Sequence, residues 1–225
     1  LIISPSIKNL FISRLKASIS EDLIQLKDLA HPVELRFIEK AHPKRQTEFL
    51  LGRKALRKVI QNLGGDTTLP ILPDSIGKPI FPTSYKLSLA HTSLYQDGIR
   101  QEKIVAVAVG HNHVLNLGID IESIKRKISP AIIRKILCDS EKTFQPLMIL
   151  TAKEAFYKAF STLLPNGFNF LDLSLHRKEP FFPELIFEPE RINGFSLKDF
   201  QGTFIYTVIN QGLIISLCIN GIPTR

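Results

Sequence analysis

The sequence predicts a mixed α+β fold, and three observations carry that prediction. Leu115 to Glu122 alternates apolar with small or polar residues, the period of a strand. His42 to Leu63 strings Phe49, Gly52, Leu56, Val59 or Ile60, and Leu63 along one helical stripe, with Gly64-Gly65 at its end. From Phe168 onward short apolar runs alternate with turn residues in a β pattern. Helix then strands is the order in each half, although no sequence repeat of about 20 to 50 residues accompanies it.

Before the first helix, Val33, Leu35 and Phe37 alternate with Glu34, Arg36 and Ile38, which predicts a strand. Residues 64 to 84 are rich in Gly, Pro, Asp, Ser and Thr and read as a loop that delivers Gly77-Lys78-Pro79 to a short strand, Ile80-Phe81. Lys86 to His91 forms the next strand, Tyr95 to Glu102 a polar turn, and Ile104 to Val109 a buried strand. The short path from there into Leu115 to Glu122 predicts an antiparallel pair. His111 and His113, in the turn between, lack a third nitrogen or sulfur ligand and read as surface residues. Ser129 caps a helix that starts with Pro130, Asp139 or Ser140 caps a shorter one, and Thr151 caps a third. The β region contains Phe170 to Leu175, Leu185 to Phe187, Gly194 to Leu197, and a hairpin of Thr203 to Ile209 with Leu213 to Ile219.

The 225 residues suffice for one large domain or two small ones. With 29 Lys and Arg against 21 Asp and Glu, the net charge of +8 favours an anionic partner. Nucleic acid is not the expected one, because the basic residues lack interleaved aromatics, zinc-finger cysteines or an RNP-like strand. Cys138 and Cys218 stand among aliphatic residues without ligand spacing, which predicts free thiols. No run of about 18 apolar residues and no secretion pattern occurs, so no membrane span and a cytoplasmic location are expected.

On the strand at 115–122, Asp120 and Glu122 share one face; on the following helix, Glu154 and Lys158 share another. Three carboxylates able to converge suit a hard cation such as Mg²⁺ together with phosphate oxygens, and a lysine beside them suits a pyrophosphate. The competing structural reading gives Glu154 to a capping box begun by Thr151. Lys153 points about 100° away from Glu154 around the helix, toward substrate or solvent.

The order Gly77-Lys78-Pro79, Ala90-His91-Thr92-Ser93, Gly118-Ile-Asp-Ile-Glu122 and Lys153-Glu-Ala-Phe-Tyr-Lys158 resembles the 4′-phosphopantetheinyl transferases of the surfactin- and enterobactin-synthetase type. The resemblance runs from about Arg45 to Phe160, and Leu150, where many members carry Trp, favours the enterobactin-like branch. It implies a pseudo-dimer of two similar α+β halves, residues 1–114 and 115–225, with the site in the cleft between them. It further implies that Arg53, on a helix like the family's arginine-bearing one, and Arg45 hold phosphates of coenzyme A. Lys78 and Pro79 line the pocket for its adenine and ribose phosphate, and His91 contacts a phosphate, Ala90 replacing the usual serine before it. Asp120, Glu122 and Glu154 would hold Mg²⁺, with Lys158 on the phosphates and Glu154 or a metal-bound water as base. The partner implied is an apo acyl or peptidyl carrier protein, met near Lys125, Arg126 and Lys127, and the enzyme is expected to be a monomer. A noncatalytic binder of coenzyme A or carrier protein is the other reading.

Overall fold

The structure is a computed structural model that describes residues 10–18, 23–81, 85–96, 99–110, 114–164, 168–178, 185–210 and 212–221, with side chains except in 10–18, 94–96 and 99–110. His111 and His113 lie outside the described residues. The chain divides into two compact units, Leu1–Asn112 and His113–Arg225. Each lays a long helix on an antiparallel sheet.

In the first unit β1 (Leu10–Ser18), β5 (Ile99–Gly110) and β4 (Lys86–Gln96) form a sheet in the order β1-β5-β4. The helices are α1 (Leu23–Asp28), α2 (Pro32–Ile38) and α3 (Pro43–Asn62), and a ribbon pairs β2 (Leu72–Pro73) with β3 (Pro79–Ile80). Helix α3 lies on the sheet and buries Phe49, Leu56, Val59 and Ile60. Gly64 ends it with φ 75°, a conformation that costs glycine nothing.

The strand expected at Val33–Ile38 is helix α2 instead. Six alternating residues cannot separate the two periods, and the N-terminal chemistry decides. His31 Nδ1 accepts from Val33 N, Pro32 takes the first helical position, and Glu34 completes a capping box. Glu34 is also fully buried, accepting both arms of Arg57 at 2.9 and 2.6 Å and the Ile71 N–H at 2.6 Å.

In the second unit the elements are β6 (Val114–Ser123), α4 (Pro130–Ile136), α5 (Pro146–Phe160), β7 (Leu173–Lys178), β8 (Leu185–Ile192), β9 (Thr203–Asn210) and β10 (Leu213–Gly221). Single 3₁₀ turns occupy Asp139–Glu141, Phe170–Asp172 and Leu197–Phe200. The sheet runs β6-β10-β9-β8-β7, so the partner of β6 is the C-terminal strand and not the strand preceding it in sequence. Register sets Asp120 opposite Ser216 and Gly118 opposite Cys218. The segment expected as a strand at Gly194–Leu197 is a turn entered through Gly194 at φ 82°. Beneath α5, Phe156, Phe160, Phe200 and Phe187 form the centre of an apolar core with Ile205 and Cys218.

Candidate active site

Helix α5 touches β6 backbone to backbone at Gly118. A Cβ there would stand 1.9 Å from the Ala155 carbonyl oxygen and 2.6 Å from the Ala159 nitrogen, so only glycine permits this approach. The face of β6 that carries Gly118 also carries Asp120 and Glu122, and it is turned to α5. The alternation seen in the sequence is therefore not core against solvent. Leu117, Ile119 and Ile121 on the other face are buried as well.

Close approach brings Asp120 to Lys158 and Glu154. Lys158 Nζ donates to Asp120 Oδ1 at 2.6 Å and to the Ile119 carbonyl at 3.2 Å. Asp120 is 4 % exposed, and its Oδ2 is buried without a hydrogen-bond donor. Burial pushes the Asp120 carboxyl upward against the opposing pull of Lys158. Glu154 lies within hydrogen-bonding reach of Asp120, and burial followed by that neighbour's charge pushes its carboxyl up to about 7. Two carboxylates and one lysine are thus assembled.

Glu122 is engaged elsewhere, by an ion pair with Arg126 four residues on. Among the described residues no group of three or more His, Cys, Asp or Glu is placed to hold a metal. Asp120 and Glu154 nevertheless fit a hard cation: both are anionic oxygen donors, each raises the other's energy when ionised, and one Asp120 oxygen has no donor. Ser216, beside Asp120 on β10, shares a 2.8 Å hydrogen bond with Thr207 and extends the polar row.

The capping reading of Glu154 is overturned. Helix α5 begins at Pro146, so Thr151 is mid-helix and buried, returning its hydroxyl to the Leu147 carbonyl at 2.6 Å. Pro146, at the first helical position, is the sequence signal that marks the start. Lys153 meets neither substrate nor solvent. It is fully buried, and it donates to Glu141 Oε2 at 2.7 Å, the Ile136 carbonyl at 2.8 Å and the Phe170 carbonyl at 2.9 Å, with Cys138 Sγ a weaker acceptor at 3.7 Å. Glu141 in turn accepts from Cys138 N at 2.8 Å and Leu175 N at 2.9 Å. A buried glutamate thus locks a cation of the long helix to the backbone of a following segment, here strand β7, as Glu34 does with Arg57 and Ile71, just before β2, in the first unit.

In the first unit the expected coenzyme A residues have different surroundings. Arg45 Nη1 and His91 Nε2 both approach Glu48 Oε2, at 3.9 and 3.6 Å, so helix α3 and strand β4 bring these two exposed residues to one acid that sequence reading had not singled out. Arg53 is 5 % exposed, donates Nε–H to the Ile71 carbonyl at 2.9 Å, and places its guanidinium 3.9 Å from the Phe49 ring centroid. Burial pulls it down to about 10. Lys78 is half-buried beside Lys86 and Asp74, and burial lowers it too. Asp74 Oδ1 accepts from Ile76 N and Lys78 N, fixing the turn that Gly77 makes at φ 87° before Pro79. Both cysteines are free, with Cys218 buried and its thiol pushed up.

Residues 33–96 match the family model for the 4′-phosphopantetheinyl transferase N-terminal domain, and residues 116–209 match that for the 4′-phosphopantetheinyl transferase superfamily. The chain belongs to this superfamily, whose members use coenzyme A and act on carrier proteins. The matches do not select a branch within it. No individually curated protein gives a significant match. No helix among the described residues is long and apolar enough to cross a membrane.

Proposed function

We propose that this protein transfers the 4′-phosphopantetheine arm of coenzyme A to a serine hydroxyl of an apo acyl or peptidyl carrier protein, in a Mg²⁺-dependent reaction that releases adenosine 3′,5′-bisphosphate. The observation that carries this reading is the Asp120–Lys158 ion pair with Glu154 beside it, in a chain of this superfamily. Asp120 and Glu154, joined by Glu122, would hold the cation. When bound, it supplies positive charge against the pyrophosphate oxygens.

The serine Oγ forms a bond to the phosphorus bearing the pantetheine arm, and the bond from that phosphorus to the nucleotide phosphate breaks. Lys158 can neutralise charge on the phosphates at its ammonium. Glu154, pushed up toward neutrality, is suited to accept the serine proton, a role it shares in principle with a water. In the first unit Arg45 and His91 are exposed for phosphate contacts. Arg53 and Lys78 are cations lowered by burial, and a phosphate would offset the hydration they have lost. Pro79 would line the base pocket. The exposed Lys125 and Lys127 complement an acidic carrier helix.

A monomer acting in the cytoplasm is part of the same proposal, as is the enterobactin-like branch. The test is intact-mass analysis of several apo carriers incubated with the protein, coenzyme A and Mg²⁺, beside EDTA and Glu154→Gln controls. A gain of one phosphopantetheine arm, lost in both controls, is expected. Coenzyme A binding with no gain on any carrier would replace this reading with that of a noncatalytic binder.

A further inference from the structure

Glu122, the carboxylate that shares a strand face with Asp120, is ion-paired with Arg126. The two are not a chance surface contact. Strand β6 ends at Ser123, and the chain then closes a turn through Arg126 N–H to the Ser123 carbonyl at 2.9 Å and Lys125 N–H to Ser123 Oγ at 3.3 Å. Ile124 N–H reaches the Gly212 carbonyl at 2.9 Å, tying that turn to the β9–β10 end of the sheet. Arg126 therefore starts from a fixed backbone.

Its side chain is 42 % exposed and that of Glu122 only 14 %, so a guanidinium displaced from Glu122 has water beside it to enter. The charge of Arg126 acts on Asp120 and Glu154 as well as on its ion-pair partner Glu122. A guanidinium stays charged at any working pH, so it cannot leave by losing a proton. Asp120 Oδ1 is likewise taken by Lys158, and Oδ2 is the oxygen left without a donor.

We propose that Arg126 is an internal competitor for the divalent cation: it holds Glu122 away from Asp120 and Glu154, and Glu122 becomes the third ligand only when Arg126 lets go. This rests on the metal reading above. It makes metal binding an exchange of one cation for another at Glu122, and it sets the affinity below what three free carboxylates would give. The neighbouring Lys125 and Lys127 are exposed and add to the same repulsion.

The experiment is a titration of the full chain with Mn²⁺ alone, read by calorimetry, for wild type, Arg126→Gln, Glu122→Gln and the double variant. Arg126→Gln is expected to bind Mn²⁺ more tightly by about tenfold, the order set by removing one unit charge near a divalent ion at a water-like dielectric. Glu122→Gln removes the third ligand and should weaken Mn²⁺ binding in wild type, and it should erase most of the gain in the Arg126→Gln background, a non-additive pair. Tighter binding cannot come from a misfolded variant. If wild type binds Mn²⁺ and Arg126→Gln binds it equally or more weakly, the competitor role is overturned while the carboxylate site stands. If wild type binds none, the metal reading falls and the competitor with it.

Discussion

Gly118→Ala places a methyl carbon 1.9 Å from the Ala155 carbonyl oxygen and 2.6 Å from the Ala159 nitrogen. Both are backbone atoms of α5, so no rotamer change relieves the clash, and the helix must move off β6 by at least about 1 Å to reach a tolerable contact. Overpacking of this kind costs about 1–3 kcal/mol. For a unit of this size that is a fall in Tm of roughly 5–15 °C. The same displacement opens the 2.6 Å contact between Lys158 and Asp120 and separates Glu154 from the strand. A misplacement of about 1 Å in such a site can cost on the order of 100-fold in rate. Thermal melting by circular dichroism and initial rates of carrier modification read the two effects. A variant melting within about 2 °C of wild type with full activity would refute the argument that this backbone contact sets the site.

Lys153→Met leaves Glu141 buried without its cation and should destabilise the protein by about 3–5 kcal/mol in urea unfolding, whereas Lys153→Met with Glu141→Leu should recover much of the loss. Mg²⁺ should raise Tm, by the equivalent of about 2.7 kcal/mol at 100 times the dissociation constant, and Asp120→Asn should abolish the shift in scanning fluorimetry. In EDTA, Glu154 raised to about 7 holds its proton in the folded state after the unfolded chain has released it near 4.5. Stability therefore falls as pH rises between those values, by about 2–3 kcal/mol, and the difference between wild type and Glu154→Gln in denaturant midpoints should show that slope. Arg45→Ala with His91→Ala should raise the KM for coenzyme A several-fold and leave Tm nearly unchanged, since both side chains are exposed.

Long periodic segments were legible in the sequence. Helix α3, the C-terminal hairpin and the Ser129-Pro130 helix start appear where their patterns put them, because caps and periodicity are local properties. The errors fall where local patterns were too short or a signal was misassigned. Val33–Ile38 alternated over only six residues, and its helix was decided by His31, Pro32 and Glu34. Thr151 resembles a cap, but Pro146 starts the helix and leaves Thr151 inside it. The two buried locks, Glu34–Arg57 and Glu141–Lys153, left no local trace, since each joins residues brought together only by packing.

What the sequence determined by itself was the α+β class, the family, and the shared faces of Asp120 with Glu122 and of Glu154 with Lys158. Those follow from periods of 2 and 3.6 and from the order of motifs along one chain. What only tertiary structure decided was which of these groups meet. The β6–α5 contact at Gly118 joined Asp120, Glu154 and Lys158, the turn after β6 gave Glu122 to Arg126, and burial committed Lys153 to Glu141. Side-chain charge is written residue by residue, but its partner and its solvation are set by neighbours distant in sequence, so what a given lysine or carboxylate meets is decided only once the chain has packed.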